Sequence, residues 1–83
     1  MSQPTDRDID AARALVAKAL ERPLESIPAD GGLETISAWD SLGHVRILLE
    51  IEAETGRMLD SEMIATMRSV VDVARALAPD ARL

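Results

Sequence analysis

At 83 residues the chain has room for one hydrophobic core, since a domain this small buries only about 60% of the surface its unfolded form exposes. A formal net charge of -6, from fifteen acidic residues against nine basic ones, argues against nucleic acid, because a phosphate backbone rewards a basic face. With no cysteine there is no disulfide framework, thiolate nucleophile or sulfur metal site, and with Trp39 as the single aromatic the core falls to Ala, Val, Leu, Ile and Met, a palette that favours helices.

Asp6, Asp8 and Asp10 occupy the stretch where an export signal would need a basic start and an apolar run. No uncharged apolar run approaches the ~20 residues that cross a bilayer, so a soluble, cytoplasmic protein is expected. Ile9, Ala12, Val16, Ala19 and Leu20 recur at helical spacing, with Leu15 beside them and Arg13 and Lys18 facing away. Thr5 is the expected cap of this first helix, and Pro23 is expected to close it by pushing Arg22 out of the helical region.

Arg22 to Asp40 reads as one long connection, with two prolines and Gly31-Gly32, held to the helices by Leu24, Ile27, Leu33 and Ile36 as anchors. The clearest helix follows, capped by Asp40 or Ser41, with Leu42, Val45, Leu48, Leu49 and Ile51 as its apolar face and Gly56 at its end. A short segment starts near Asp60 or Ser61, with Met63, Ile64 and Met67 on its apolar side; Met58 is expected in the core with them. Ser69 then caps a last helix in which Val70, Val73, Ala74 and Leu77 face inward before Pro79. The sequence thus predicts an all-α bundle of three main helices and a short third one, forming a single domain over residues 1–83.

Ser41 falls where the long connection meets the clearest helix, which places its hydroxyl on a rigid corner. The unpaired amides and positive dipole of a helix start both favour a phosphate ester there. A lone serine in this setting is most often only a cap. Here, however, the run Trp39-Asp40-Ser41-Leu42-Gly43-His44-Val45 resembles the phosphopantetheine attachment site of acyl and peptidyl carrier proteins, whose core is Asp-Ser-Leu followed three residues later by an aliphatic residue. The resemblance takes in the acid-led first helix, the loop with Leu24, Ile27 and Leu33, the helix ending Glu52-Ala53-Glu54-Thr55-Gly56, then Met58-Leu59-Asp60 and Ser69-Val70-Val71-Asp72-Val73. It implies a four-helix acyl-carrier-like bundle with 4'-phosphopantetheine joined to Ser41, flanked by Asp40 and Leu42. A transferase would deliver the arm from coenzyme A, and its thiol would carry acyl or aminoacyl groups as thioesters. The missing cysteine is then no obstacle, because the sulfur arrives with the cofactor. Such a protein is a monomeric stand-alone carrier, without catalysis, metal, membrane or nucleic acid of its own.

Between Asp40 and Glu62 six acids, Glu50 among them, stand against Arg46 and Arg57, which suggests steering toward basic partner enzymes. Trp39, Leu42, His44, Val45, Arg46, Glu50 and Ile64 form the expected partner interface, with Trp39 also a candidate packing residue. Gly43 and Arg46 depart from fatty-acid carriers, and Trp39 and His44 resemble peptidyl, D-alanyl and specialised carriers; of three cargoes left open, a short acyl group, an amino acid and a fatty acyl chain, this favours the first two and a polyketide-like, nonribosomal or aminoacyl pathway. Thr55 stands where a bulky apolar residue is common, which predicts a gap in the core. A hydrolase built from Ser41, His44 and Asp40 is disfavoured, because three groups crowded into one helical start cannot orient independently. The remaining alternative is a helical interaction module that never takes the arm.

Overall fold

The computed structural model describes residues 4–77. Its elements are α1 (Asp6–Leu20), a 3-10 turn (Leu24–Ser26), α2 (Ser41–Thr55), α3 (Ser61–Thr66) and α4 (Val70–Leu77). The described residues are thus all-helical, as the composition and spacing predict. α1, α2 and α4 pack against one another around a core that includes Val16, Ile27, Trp39, Ile47, Ile51, Val70 and Val73.

Thr5 caps α1 through a reciprocal pair: its Oγ1 accepts the Asp8 amide at 3.1 Å while Asp8 Oδ2 accepts the Thr5 amide at 3.0 Å. The helix stops at Leu20, ahead of the position where Pro23 alone would end it, because Glu21 turns into the left-handed region at φ 57°. Arg13 does not simply face solvent. It is half-buried, and its guanidinium donates to the carbonyls of Ile27 and Leu24, fastening the long connection to α1.

Of the four expected loop anchors, Ile27 and Ile36 are buried, whereas Leu24 and Leu33 are exposed. Backbone contacts do the work assigned to those two side chains. The Leu24 carbonyl is held by Arg13, and the Leu33 amide donates to the Arg68 carbonyl at 2.9 Å. The Val70 amide donates back to Gly31 at 3.0 Å, pairing Gly32 with Ser69 in an isolated antiparallel bridge. A Cβ on Gly32 would lie 2.5 Å from the Arg68 carbonyl oxygen, so this crossing depends on glycine.

α2 is rotated relative to the sequence expectation. Gly43, Ile47 and Ile51 face the core with Leu48 at its margin, while Leu42, Val45 and Leu49 remain 60%, 50% and 59% exposed. Both sets recur at helical spacing, so periodicity offers two apolar stripes and the neighbouring elements select one. Gly56 closes the helix as predicted. Thr55 sits half-buried at the last turn and not among the core residues, and its Oγ1 donates to the Ile51 carbonyl at 2.8 Å and accepts the Arg57 amide at 3.2 Å.

Asp60 caps α3, its Oδ1 accepting the Met63 amide at 2.8 Å. Met67 is buried and Met63 and Ile64 are half-buried, but Met58 is 90% exposed, outside the core predicted for it, because it lies on the connection beyond the last turn of α2. Ser69 Oγ accepts the Asp72 amide at 3.1 Å at the start of α4, which buries Val70, Val73 and Ala74 and half-buries Leu77. The stop expected at Pro79 lies outside the described residues.

Candidate functional site

The corner that carries Ser41 is assembled from local chemistry. Asp40, in extended backbone, caps α2 by accepting the Gly43 amide on Oδ1 at 2.8 Å, and its carbonyl accepts the His44 amide at 2.8 Å. Asp40 is therefore the cap, and Ser41 is the exposed first residue of the helix, its hydroxyl not needed for that role. The amides of Ser41 and Leu42, in the first turn, have no carbonyl of the helix to bond. They and the helix dipole suit an anionic group on Ser41 Oγ.

Gly43 sets how closely the incoming loop lies on α2. A Cβ there would stand 2.5 Å from the Ala38 carbonyl oxygen and 2.7 Å from a Leu20 methyl, so loop, α1 and α2 meet at this residue. Its departure from fatty-acid carriers is therefore a packing difference, since Gly43 is buried and presents nothing to a partner.

Beside Ser41 runs an open groove of about 300 Å³ lined by Leu33, His44, Ala65, Met67 and Arg68, with Asp40 at its edge. A phosphodiester on Ser41 would meet repulsion from the Asp40 carboxylate, offset by the helix dipole and by Arg68 in the same groove. With an exposed hydroxyl, unpaired amides, a cation lining the same groove and open space, the corner fits a phosphopantetheine arm. The sequence reading missed Arg68; its position between the last two helices was legible, but its place in the Ser41 groove goes with the Leu33–Arg68 pairing, which joins residues distant in sequence.

The residues expected at a partner interface divide. Leu42, Val45 and Arg46 are exposed on α2 close to Ser41, and Leu49, assigned to the core by its spacing, extends the same stripe. Trp39 is 1% exposed and belongs to the core, because the loop before α2 folds its ring inward. His44 is half-buried, its Nδ1 accepting the Trp39 indole N–H at 3.0 Å and its Nε2 lying 3.1 Å from the Ile64 carbonyl oxygen. Ile64 is half-buried against the core. Glu50 is half-buried and lies 3.6 Å from Lys18 Nζ on α1. Glu52 likewise turns inward, accepting the Leu59 amide at 3.2 Å, so the acids of this region are partly structural.

A serine hydrolase arrangement is absent from this corner. Both ring nitrogens of His44 face Trp39 and Ile64, and the Asp40 carboxylate faces Gly43, so neither is aimed at Ser41 Oγ as a base or its orienter.

The family described as "Phosphopantetheine attachment site" matches residues 10–77. The chain is also similar to "Acyl carrier protein 3" of Ralstonia nicotianae, at 33% identity over 73 residues that cover 88% of this chain and 82% of that protein. No solved structure matches it. Its helical fold, the exposed serine corner and these similarities agree, and the chain belongs to the phosphopantetheine-binding carrier protein family, whose members are carriers and not enzymes and whose cofactor is phosphopantetheine.

Proposed function

We propose that Ser41 Oγ is the attachment atom and that the protein presents short acyl or aminoacyl cargo to the enzymes of a specialised biosynthetic pathway. The observation that carries the assignment is the division of labour at the start of α2: Asp40 caps the helix, which leaves the Ser41 hydroxyl exposed and beside unpaired amides. When bound, the arm supplies the thiol on which cargo is held as a thioester. The chain's own residues hold the anchoring oxygen on a rigid corner, with the helix dipole and Arg68 to balance the phosphate charge. A thiol on the arm and the absence of cysteine both suit a reducing compartment, and we assign the protein to the cytoplasm on that ground.

Coexpression with a broad-specificity phosphopantetheinyl transferase is expected to add one phosphopantetheinyl mass, read by intact mass spectrometry, and Ser41→Ala to prevent it. An unmodified wild-type chain with several such transferases would overturn the assignment.

The transferase and later enzymes are proposed to read the exposed stripe of Leu42, Val45 and Leu49, with Arg46 beside it. Of the departures that point away from fatty-acid partners, Arg46 alone is both charged and exposed, so it supports the specialised pathway most directly. Leu42→Asp or Val45→Asp should slow modification of Ser41 by about 30-fold, the size of a strong interface residue at about 2 kcal/mol. Thermal stability should move by less than about 0.5 kcal/mol, because neither side chain is in the core. Unchanged modification rates in both variants would remove the stripe from the interface.

A further inference from the structure

His44 stands between a donor and an acceptor. The indole N–H of Trp39 points at its Nδ1 from 3.0 Å, and the carbonyl oxygen of Ile64 lies 3.1 Å from its Nε2. The ring planes are 27° apart with centroids 6.3 Å apart, consistent with an N–H···N bond close to the plane of the rings. Only the neutral ring with its hydrogen on Nε2 satisfies both contacts. The other neutral tautomer fails both, and the protonated ring turns a hydrogen toward the Trp39 N–H.

The contact with Ile64 matters because α3 is six residues long and buries none of them fully. In a longer helix the Ile64 carbonyl would accept the Arg68 amide, but that amide donates to Asp72 Oδ2 at 2.9 Å. His44 fills the vacancy. One imidazole on α2 therefore joins the buried Trp39 of the loop to the backbone of α3, and it also lines the groove beside Ser41 together with Ala65, Met67 and Arg68.

We infer that His44 is a protonation-sensitive latch: as the neutral Nε2–H tautomer it holds α3 against the junction of the loop and α2, and when protonated it releases that wall of the Ser41 groove. The ring is rigid, so turning Nδ1 away from the Trp39 donor also draws Nε2 from Ile64. The charged groups that line the groove with it are Asp40 at the start of its own helix and Arg68 beyond α3. The loop presents the uncharged Trp39. The consequence for the groove rests on the assignment of Ser41, whereas the latch is a property of the unmodified chain.

The sequence provides its own reporters, with one tryptophan, one histidine and neither Tyr nor Phe. Acidifying the unmodified protein from about pH 8 to about pH 5, the span in which histidine changes charge, should shift Trp39 emission along a single sigmoid. Over the same span the hydrogen-exchange protection of the Ile64 and Met67 amides should fall about tenfold, the scale of one lost buried hydrogen bond. His44→Gln, whose amide offers a donor and an acceptor but does not titrate, should be flat in both measurements, and Ser41→Ala should titrate as wild type does. A flat wild-type response, or the same response in His44→Gln, would overturn the latch. Absent phosphopantetheine addition with an intact titration would remove the reading of Ser41 and leave the latch standing; a flat titration with normal addition would do the reverse.

Discussion

Trp39→Ala should destabilise the protein by about 3–5 kcal/mol, the range for deleting a buried aromatic from a core. Trp39 is the largest fully buried side chain, and it is the piece of the loop that closes over the helices next to the Ser41 corner. Small domains hold about 5–15 kcal/mol in total, so the loss is a third or more of the stability over most of that range and should move the unfolding midpoint to much lower denaturant. Urea unfolding followed by far-ultraviolet circular dichroism measures the loss without using the deleted fluorophore. Trp39→Phe separates the two contributions: it keeps most of the apolar volume and loses the bond to His44 Nδ1, for an expected cost of about 1–2 kcal/mol. A loss below about 1 kcal/mol for the alanine variant would mean that the ring does not occupy the core, and the interface role expected for Trp39 would return.

Gly43→Ala sets two effects of opposite sign against each other. In an ordinary helix interior alanine is favoured over glycine by about 1 kcal/mol. Here the added methyl would meet the Ala38 carbonyl oxygen at 2.5 Å and a Leu20 methyl at 2.7 Å. The Leu20 side chain can yield, but the carbonyl is backbone in the loop that delivers Asp40 and Ser41. Overpacking of this kind costs about 1–3 kcal/mol and lies at the upper end when backbone must move, so a net loss of about 1–2 kcal/mol is expected. For a domain of this size each kcal/mol lowers Tm by about 4–8 °C, which a thermal melt reads directly. Modification of Ser41 should slow beyond the loss of folded protein, since the corner itself shifts. A rise in Tm would show that the loop does not press on α2 at this point.

Much of the fold was legible because it is encoded over short distances. Thr5 and Ser69 were readable as caps from the residues around them, and Asp40 and Asp60 each as one of two neighbouring candidates; all four bond an amide within their own first turn. The Ser41 corner follows from the same grammar, since a cap, a serine and a helical apolar pattern are adjacent in the chain. Less legible was what each side chain meets across the fold. Leu24 and Leu33 have the spacing and character of anchors, yet Arg13 and the Gly32–Ser69 crossing hold the loop by its backbone and leave both leucines outside. Met58 reads as core beside Met63 and Met67, but no helix covers it.

Four helices with their starts, the all-helical class, and an exposed Ser41 at the head of the second main helix are encoded locally, because capping and helical periodicity act within a few residues. Which stripe of α2 is buried is settled by packing between elements. Leu42, Val45 and Leu49 are as apolar as Ile47, Leu48 and Ile51, and a helix taken alone cannot distinguish them. The choice was made where the Ala38 carbonyl and Leu20 close on Gly43, a contact that only glycine permits, and that rotation leaves the leucine and valine stripe facing outward beside Ser41. The same long-range packing turned Trp39 and His44 inward, where they join the loop to α3.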